Sequence, residues 1–308
     1  MSSEPNVLPQ PVAPDAAPRR EIRPLYWSVR RELWENRSLY AAPLIVACVF
    51  LFGFLISLTT LPRRMRAIQA LDPVKQHEAV TMPFSVGVVL LFMTAFLIGM
   101  FYCLEALQGE RRDRSILFWK SLPVSDRTTV LAKAAIPFVV LPAIVFALAM
   151  ILHGIMAVTS TIVLSGNSAS LAAFWRQFKF FQLPVAFLYG LVAIALWHAP
   201  IYGWLLLISA WARRAAVLWA LLPPLAIAAF EKMVFGSENF GRMIGARVAG
   251  WYELAFVLPQ KGSPAALDPL AQITPLRYVA APGLWLGLLF TVGCLMAAIR
   301  LRRERGPA

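Results

Sequence analysis

Six stretches of this chain contain no Asp, Glu, Lys or Arg: Ser38–Pro62, Ala79–Leu104, Ala134–Trp175, Phe180–Ala212, Ala215–Phe230 and Tyr278–Ile299. They run for 25, 26, 42, 33, 16 and 22 residues. About 20 apolar residues, rising 1.5 Å each, cross the ~30 Å hydrocarbon core of a bilayer. No water reaches the backbone there, so such segments must satisfy their own hydrogen bonds as helices. Composition agrees, with 59% apolar and 15% charged residues, against roughly 45–50% and 25% in soluble domains. That balance excludes disorder for the chain as a whole and a collagen-like fibre. Three cysteines in 308 residues exclude a disulfide scaffold. The expected fold class is an all-α polytopic membrane protein.

The runs resolve into six spans at about 39–61, 83–104, 134–164, 183–208, 215–235 and 279–299. The polar cluster Ser165-Gly-Asn-Ser-Ala-Ser170 divides the long third run. The fifth run holds Pro223-Pro224, which removes two backbone donors and predicts a kinked or broken helix reaching Phe235. Residues 1–20, rich in Pro and Ala without an apolar core, read as a disordered tail rather than a cleavable signal. The remainder, 21–308, has no room for a second soluble domain.

Basic residues set the orientation. Of the 29 Lys and Arg, 18 fall in the N-terminal segment, the 105–133 loop, Arg213-Arg214 and the C-terminal tail. Both termini are therefore expected in the cytoplasm. The net charge of +13 is spread over short loops on both faces, so a nucleic-acid partner is not expected; anionic headgroups are the ordinary partner of such residues.

Few residues offer chemistry. His77 is assigned to an outer loop, and His153 and His198 to the third and fourth spans. None has an acid or second His at helical spacing, so each reads as a satisfied helix–helix hydrogen bond. Cys48, Cys103 and Cys294 form no C-x-x-C pair and read as small buried hydrophobes. No metal, cofactor or catalytic set is expected. The H-E-x-x-H, G-x-S-x-G and G-x-x-x-x-G-K-[ST] patterns are all missing, so the sequence has no P-loop of its own. Glu105 and Glu231 lie at span ends, at headgroup level. Gly283-x-x-x-Gly287 permits a close helix approach.

Two cytoplasmic segments stand apart. Before the first span, Leu25, Val29 and Leu33 recur at i, i+4 and i+8, with Tyr26, Trp27 and Trp34 beside them and Arg30, Arg31, Glu32 and Glu35 on the remaining surface. This predicts an amphipathic interfacial helix. Between the second and third spans, the charges Glu110, Arg111, Arg112, Asp113 and Arg114 abut an apolar run, Ile116, Leu117, Phe118 and Trp119, followed by Lys120. Charge beside exposed aromatics is the composition of a protein contact. Ser125 then reads as the helix N-cap of the third span, with Asp126 in its first turn.

The pattern Gly109-Glu-Arg-Arg-Asp-Arg-Ser-Ile-Leu-Phe-Trp-Lys-Ser-Leu-Pro-Val-Ser125 resembles the loop after the second span in permease subunits of type-2 ATP-binding-cassette exporters. The six spans and the amphipathic N-terminal helix suit that resemblance, which extends from about Leu25 to Arg305. It implies a permease that pairs with a second permease subunit, identical or not, in a bacterial inner membrane. Each permease would dock a cytosolic ATPase subunit, which holds the ATP and Mg. It also implies that Glu110–Lys120 is the coupling helix, with Phe118 and Trp119 giving buried contact and Arg111, Arg112 and Arg114 ionic contact and register. The same resemblance implies that residues 231–277 hold re-entrant or short outer helices, and that the cargo path is apolar. The competing reading is a free-standing membrane enzyme or secondary carrier, which needs His153, His198 or Glu231 at a polar intramembrane site.

Overall fold

The computed structural model describes residues 24–113, 115–116, 118, 124–179, 181–257 and 268–304. The expected tail at 1–20 lies outside them. Among the described residues all regular structure is helical, apart from one isolated bridge between Phe256 and Ile273. Six helical stretches are long and apolar enough to cross a membrane. The chain is an all-α, multi-pass membrane protein.

In chain order the helices are α1 (Pro24–Glu35), α2 (Ser38–Ser57), α3 (Leu61–Ile68), α4 (Pro73–Ala106), α5 (Gln108–Arg112), α6 (Asp126–Ala135) and α7 (Leu141–Leu164). There follow α8 (Ser168–Gln177), α9 (Gln182–Trp197), α10 (Ala199–Trp211), α11 (Ala216–Phe235), α12 (Asn239–Ala249), α13 (Trp251–Ala255), α14 (Pro275–Ala280) and α15 (Pro282–Glu304). A 3-10 turn, Leu58–Thr60, joins α2 to α3, and a π turn, Ile136–Val140, joins α6 to α7.

Caps decide several boundaries. Asp72 accepts from the Lys75 amide at 3.1 Å, and Pro73 takes the first helical position, where its missing N–H costs nothing. The second span therefore starts at Pro73 rather than near residue 83. His77 is a buried residue of α4, not part of a loop as the sequence suggested. Ser125 caps α6 through the Thr128 amide at 3.1 Å, as expected, so the third span starts at Asp126 instead of 134. Asn167 caps α8 through the Ser170 amide at 3.1 Å.

Prolines act less simply than the sequence suggests. The expected single span at 183–208 is two helices, α9 and α10, divided at His198 with Pro200 in the first turn of the second. Conversely, α11 is one helix from Ala216 to Phe235 despite Pro223 and Pro224, so of the expected kink or break the break is absent. Pro224 cannot donate to the carbonyl of Ala220. The indole N–H of Trp204 on α10 donates to that oxygen instead, at 3.1 Å. In lipid such a substitute partner is what makes an internal proline tolerable.

Packing divides into two layers along α4. Toward one end, Phe54, Phe84 and Leu91 pack against Val145, Leu152 and Met156. Toward the other, Tyr102 and Cys103 pack against Tyr202 and Leu206. Apolar side chains gain little by leaving lipid for protein, so close backbone approach matters more here than in a soluble core. At Gly203 an added Cβ would stand 3.1 Å from Thr291 Cγ2 and 3.2 Å from its Cα, so glycine lets α10 lie against α15. Gly283 and Gly287 face Trp197, Pro200 and the Arg247 guanidinium, so this glycine pair is used within the chain.

Candidate functional site

At one membrane face, α1, α5, α6 and the end of α15 meet around a buried set of charges. Glu32 is at the centre and is 1% exposed. Its Oε1 receives Lys133 Nζ at 2.8 Å and Arg31 Nη2 at 2.7 Å, and its Oε2 accepts the Tyr102 hydroxyl at 2.8 Å. Lys133 also reaches Glu110 Oε1 at 3.1 Å. Glu110 Oε2 receives Arg302 Nη1 at 2.5 Å, and Arg302 Nε reaches Asp126 Oδ1 at 3.1 Å. Arg31 completes the ring, 3.3 Å from Glu110 and 3.5 Å from Glu35.

Three acids, Glu32, Glu110 and Asp126, face three bases, Arg31, Lys133 and Arg302, and the exposed Glu35 adds a fourth carboxylate at the rim through Arg31. Burial pushes the Glu32 carboxyl up, but Lys133 and Arg31 more than offset this and hold it below the ordinary carboxylate range. A buried cluster of this kind adds little net stability over an apolar replacement, yet breaking it by removing one partner is costly. Its main effect is geometric. It allows one arrangement of α1, α5, α6 and α15 and penalises others.

The short helix α5 is anchored a second way. Arg111 Nη2 donates to the carbonyls of Ser209 and Ala212, each at 2.7 Å. These are terminal carbonyls of α10, where a cation is favourable. The Ser209 hydroxyl accepts from the amides of Leu107 and Gln108, each at 3.0 Å.

Several expected site residues are placed differently from the sequence reading. Glu110 and Arg111 are buried within the chain, whereas Arg111 was expected to face a partner. Arg112 and Asp113 are exposed and paired, with Arg112 also 3.1 Å from Glu105. Ile116 is buried, and Phe118 is 59% exposed. Arg114, Leu117, Trp119 and Lys120 lie outside the described residues. On α1, Leu25, Tyr26, Trp27 and Trp34 are exposed, while Val29 and Leu33 pack toward Tyr102 and Leu206. Arg30 stacks between Trp27 and Trp34, 5.2 and 4.6 Å from their ring centres. Glu32 was expected on the solvated side of α1 and is instead its most buried residue.

The residues of the competing reading sit apart, each with its own partner. His153 Nε2 meets the Phe84 carbonyl at 3.2 Å, and His198 Nε2 meets that of Val248 at 3.0 Å. Glu231 accepts from Ser237 Oγ at 2.6 Å and from the amides of Asn239 and Phe240 at 2.9 and 2.7 Å, capping α12. Among the described residues no group of three or more His, Cys, Asp or Glu is placed to hold a metal. Cys103 and Cys294 are buried thiols, while Cys48 is exposed.

Comparison with protein-family models, with curated proteins and with solved structures gives no match to this chain.

The sequence reading missed Lys133, Tyr102 and Arg302 altogether. Each looks ordinary alone, and what unites them is proximity across separations of 70 to 192 residues.

Proposed function

We propose that the chain is the membrane-spanning permease subunit of an ATP-binding-cassette exporter. It would lie in a bacterial inner membrane with both termini in the cytoplasm and be driven by a separate cytosolic ATPase. A second permease subunit would complete the translocation path, and this chain would hold neither ATP nor Mg. The observation that carries the reading is the double anchoring of α5. A transmitted motion needs a lever that cannot slip. α5 follows the second span directly, is ion-paired to α1, α6 and α15, and is pinned by Arg111 to the end of α10. Force applied to the loop beyond α5 therefore reaches several spans together. The 109–125 sequence pattern and the exposed Phe118 suit a docking segment there. Residues 24–35 and Arg302 share one face, as an even number of crossings requires.

The test is reconstitution with a P-loop ATPase encoded beside this chain's gene. Wild type should bind the ATPase and stimulate its turnover, and Phe118→Ala combined with Trp119→Ala should weaken both at least tenfold. Unchanged binding and turnover would remove the coupling assignment. Uphill transport by the chain alone, without a nucleotide-hydrolysing companion, would remove the whole reading.

A further inference from the structure

Beside the buried charges a cavity of about 300 Å³ opens between the start of α6 and the end of α15. Its lining includes Ser125, Asp126, Arg127, Thr129, Arg302 and Arg303. Arg302 forms the inner wall and is already committed to Glu110 and Asp126. Arg127 and Arg303 are exposed, and neither has an ion pair or hydrogen bond to another described residue. The one carboxylate in the lining, Asp126, is spent on Arg302. The cavity thus presents two uncommitted guanidinium groups beside the first turn of α6, where unbonded amides and the helix dipole also favour an anion.

Depth narrows the occupant. Arg303 lies four residues past Ile299, the end of the last uncharged run, or ~6 Å along a helix. The polar layer of a leaflet is ~5–8 Å thick, so Arg303 stands at headgroup level. Apolar surface continues directly beneath. Leu131 is one turn deeper than Arg127 on the same face of α6 and is exposed, and Ile299 is one turn deeper than Arg303 on α15 and half-buried. A paired basic site above apolar side chains matches a molecule with a phosphate head and an alkyl body.

We propose that this cavity is a binding site for the phosphate of an anionic membrane phospholipid, held by Arg127 and Arg303 with an acyl chain along Leu131 and Ile299. This assignment requires only that the chain spans a membrane and stands apart from the exporter reading. The lipid would bridge the start of the third span and the end of the last, next to the ion pairs that lock both.

The test uses the full chain in detergent, stripped of lipid, with thermal unfolding followed by tryptophan fluorescence. Short-chain phosphatidylglycerol should raise the melting temperature saturably. Phosphatidylcholine of the same chain length, and inorganic phosphate at equal ionic strength, should not. Arg127→Gln with Arg303→Gln should weaken phosphatidylglycerol binding about thirtyfold, and Arg127→Lys with Arg303→Lys should retain it. Arg213→Gln with Arg214→Gln, which removes the same charge at the same face outside the cavity, should leave it unchanged. Retained affinity in the Arg127/Arg303 double variant would overturn the proposal, as would an equal response to phosphatidylcholine. A full response to inorganic phosphate would show a small-anion site and overturn the lipid assignment.

Discussion

At the charged junction Glu32, Lys133 and Arg302 are almost wholly enclosed, whereas in α11 only Ala216 and Ala220 are buried. The difference follows from what lipid can and cannot cover. Leu221, Leu225 and Phe230 of α11 are as comfortable against acyl chains as against protein, so nothing drives their burial. A carboxylate or ammonium has no such alternative, so the junction must enclose and pair its charges. The protein is therefore held firmly where it is polar and loosely where it is apolar. α11 keeps its place through a few points: the Trp204–Ala220 hydrogen bond, the edge-to-face contact of Trp211 with Trp219 at 4.9 Å, and the cap from Glu231 to α12.

The contrast can be broken most forcefully at Lys133. Lys133→Met leaves Glu32 and Glu110 facing each other with one cation fewer, and should cost ~3–5 kcal/mol in denaturant unfolding. Adding Glu32→Gln should recover part of that loss, because the uncompensated charge is then gone; no recovery would mean Lys133 acts through its alkyl packing alone.

Acid should act next, and selectively. Glu32 is surrounded by Arg31 and Glu35 on α1, Tyr102 on α4, Glu110 on α5 and Lys133 on α6. Its folded pKa lies below the ordinary value, so its contribution is complete above pH ~4.3. That contribution is lost as pH falls through the depressed folded value. Melting temperature measured from pH 7 down to pH 3 should fall less steeply for Glu32→Gln than for wild type; parallel curves would assign the acid sensitivity elsewhere.

A smaller effect is expected on the loose side. Trp204→Phe removes the donor to Ala220 and should cost ~0.5–1.5 kcal/mol. Amide exchange should speed up in α11 while that of α4 and α7 stays the same. The smallest effect belongs to the exposed trio Arg112, Glu105 and Asp113. Arg112→Gln should leave the melting temperature unchanged, since solvent and side-chain entropy cancel most of an exposed pair.

The membrane-spanning architecture was legible because a bilayer punishes charge so heavily that uncharged runs mark the spans. The Ser125 cap was legible because capping is local. Helix ends beyond the uncharged runs were not: Lys75, His77 and Glu78 resemble a loop by composition, yet Asp72-Pro73 starts a helix before them. The division at His198 and the continuity of α11 show why prolines alone mislead. Their consequence depends on whether a neighbour such as Trp204 supplies the missing hydrogen bond, and sequence spacing does not reveal that neighbour. Glu32 was misplaced for a related reason. Charges on an amphipathic helix ordinarily face water, and only the arrival of Lys133 from a distant segment makes burial tolerable. Arg111, counted as a contact for a partner, turned inward because free carbonyls at the end of α10 lay within reach.

The π turn at Ile136–Val140 has a consequence for this junction. Pro137 cannot donate to the Lys133 carbonyl, nor Pro142 to that of Phe138, and the helix widens between them. Such a turn carries one residue more than an α turn, so α6 is rotated ~100° about its axis relative to α7. With regular winding through 136–140, the ammonium of Lys133 would point about a quarter-revolution away from both glutamates. A single inserted residue sets the azimuth at which that cation is delivered.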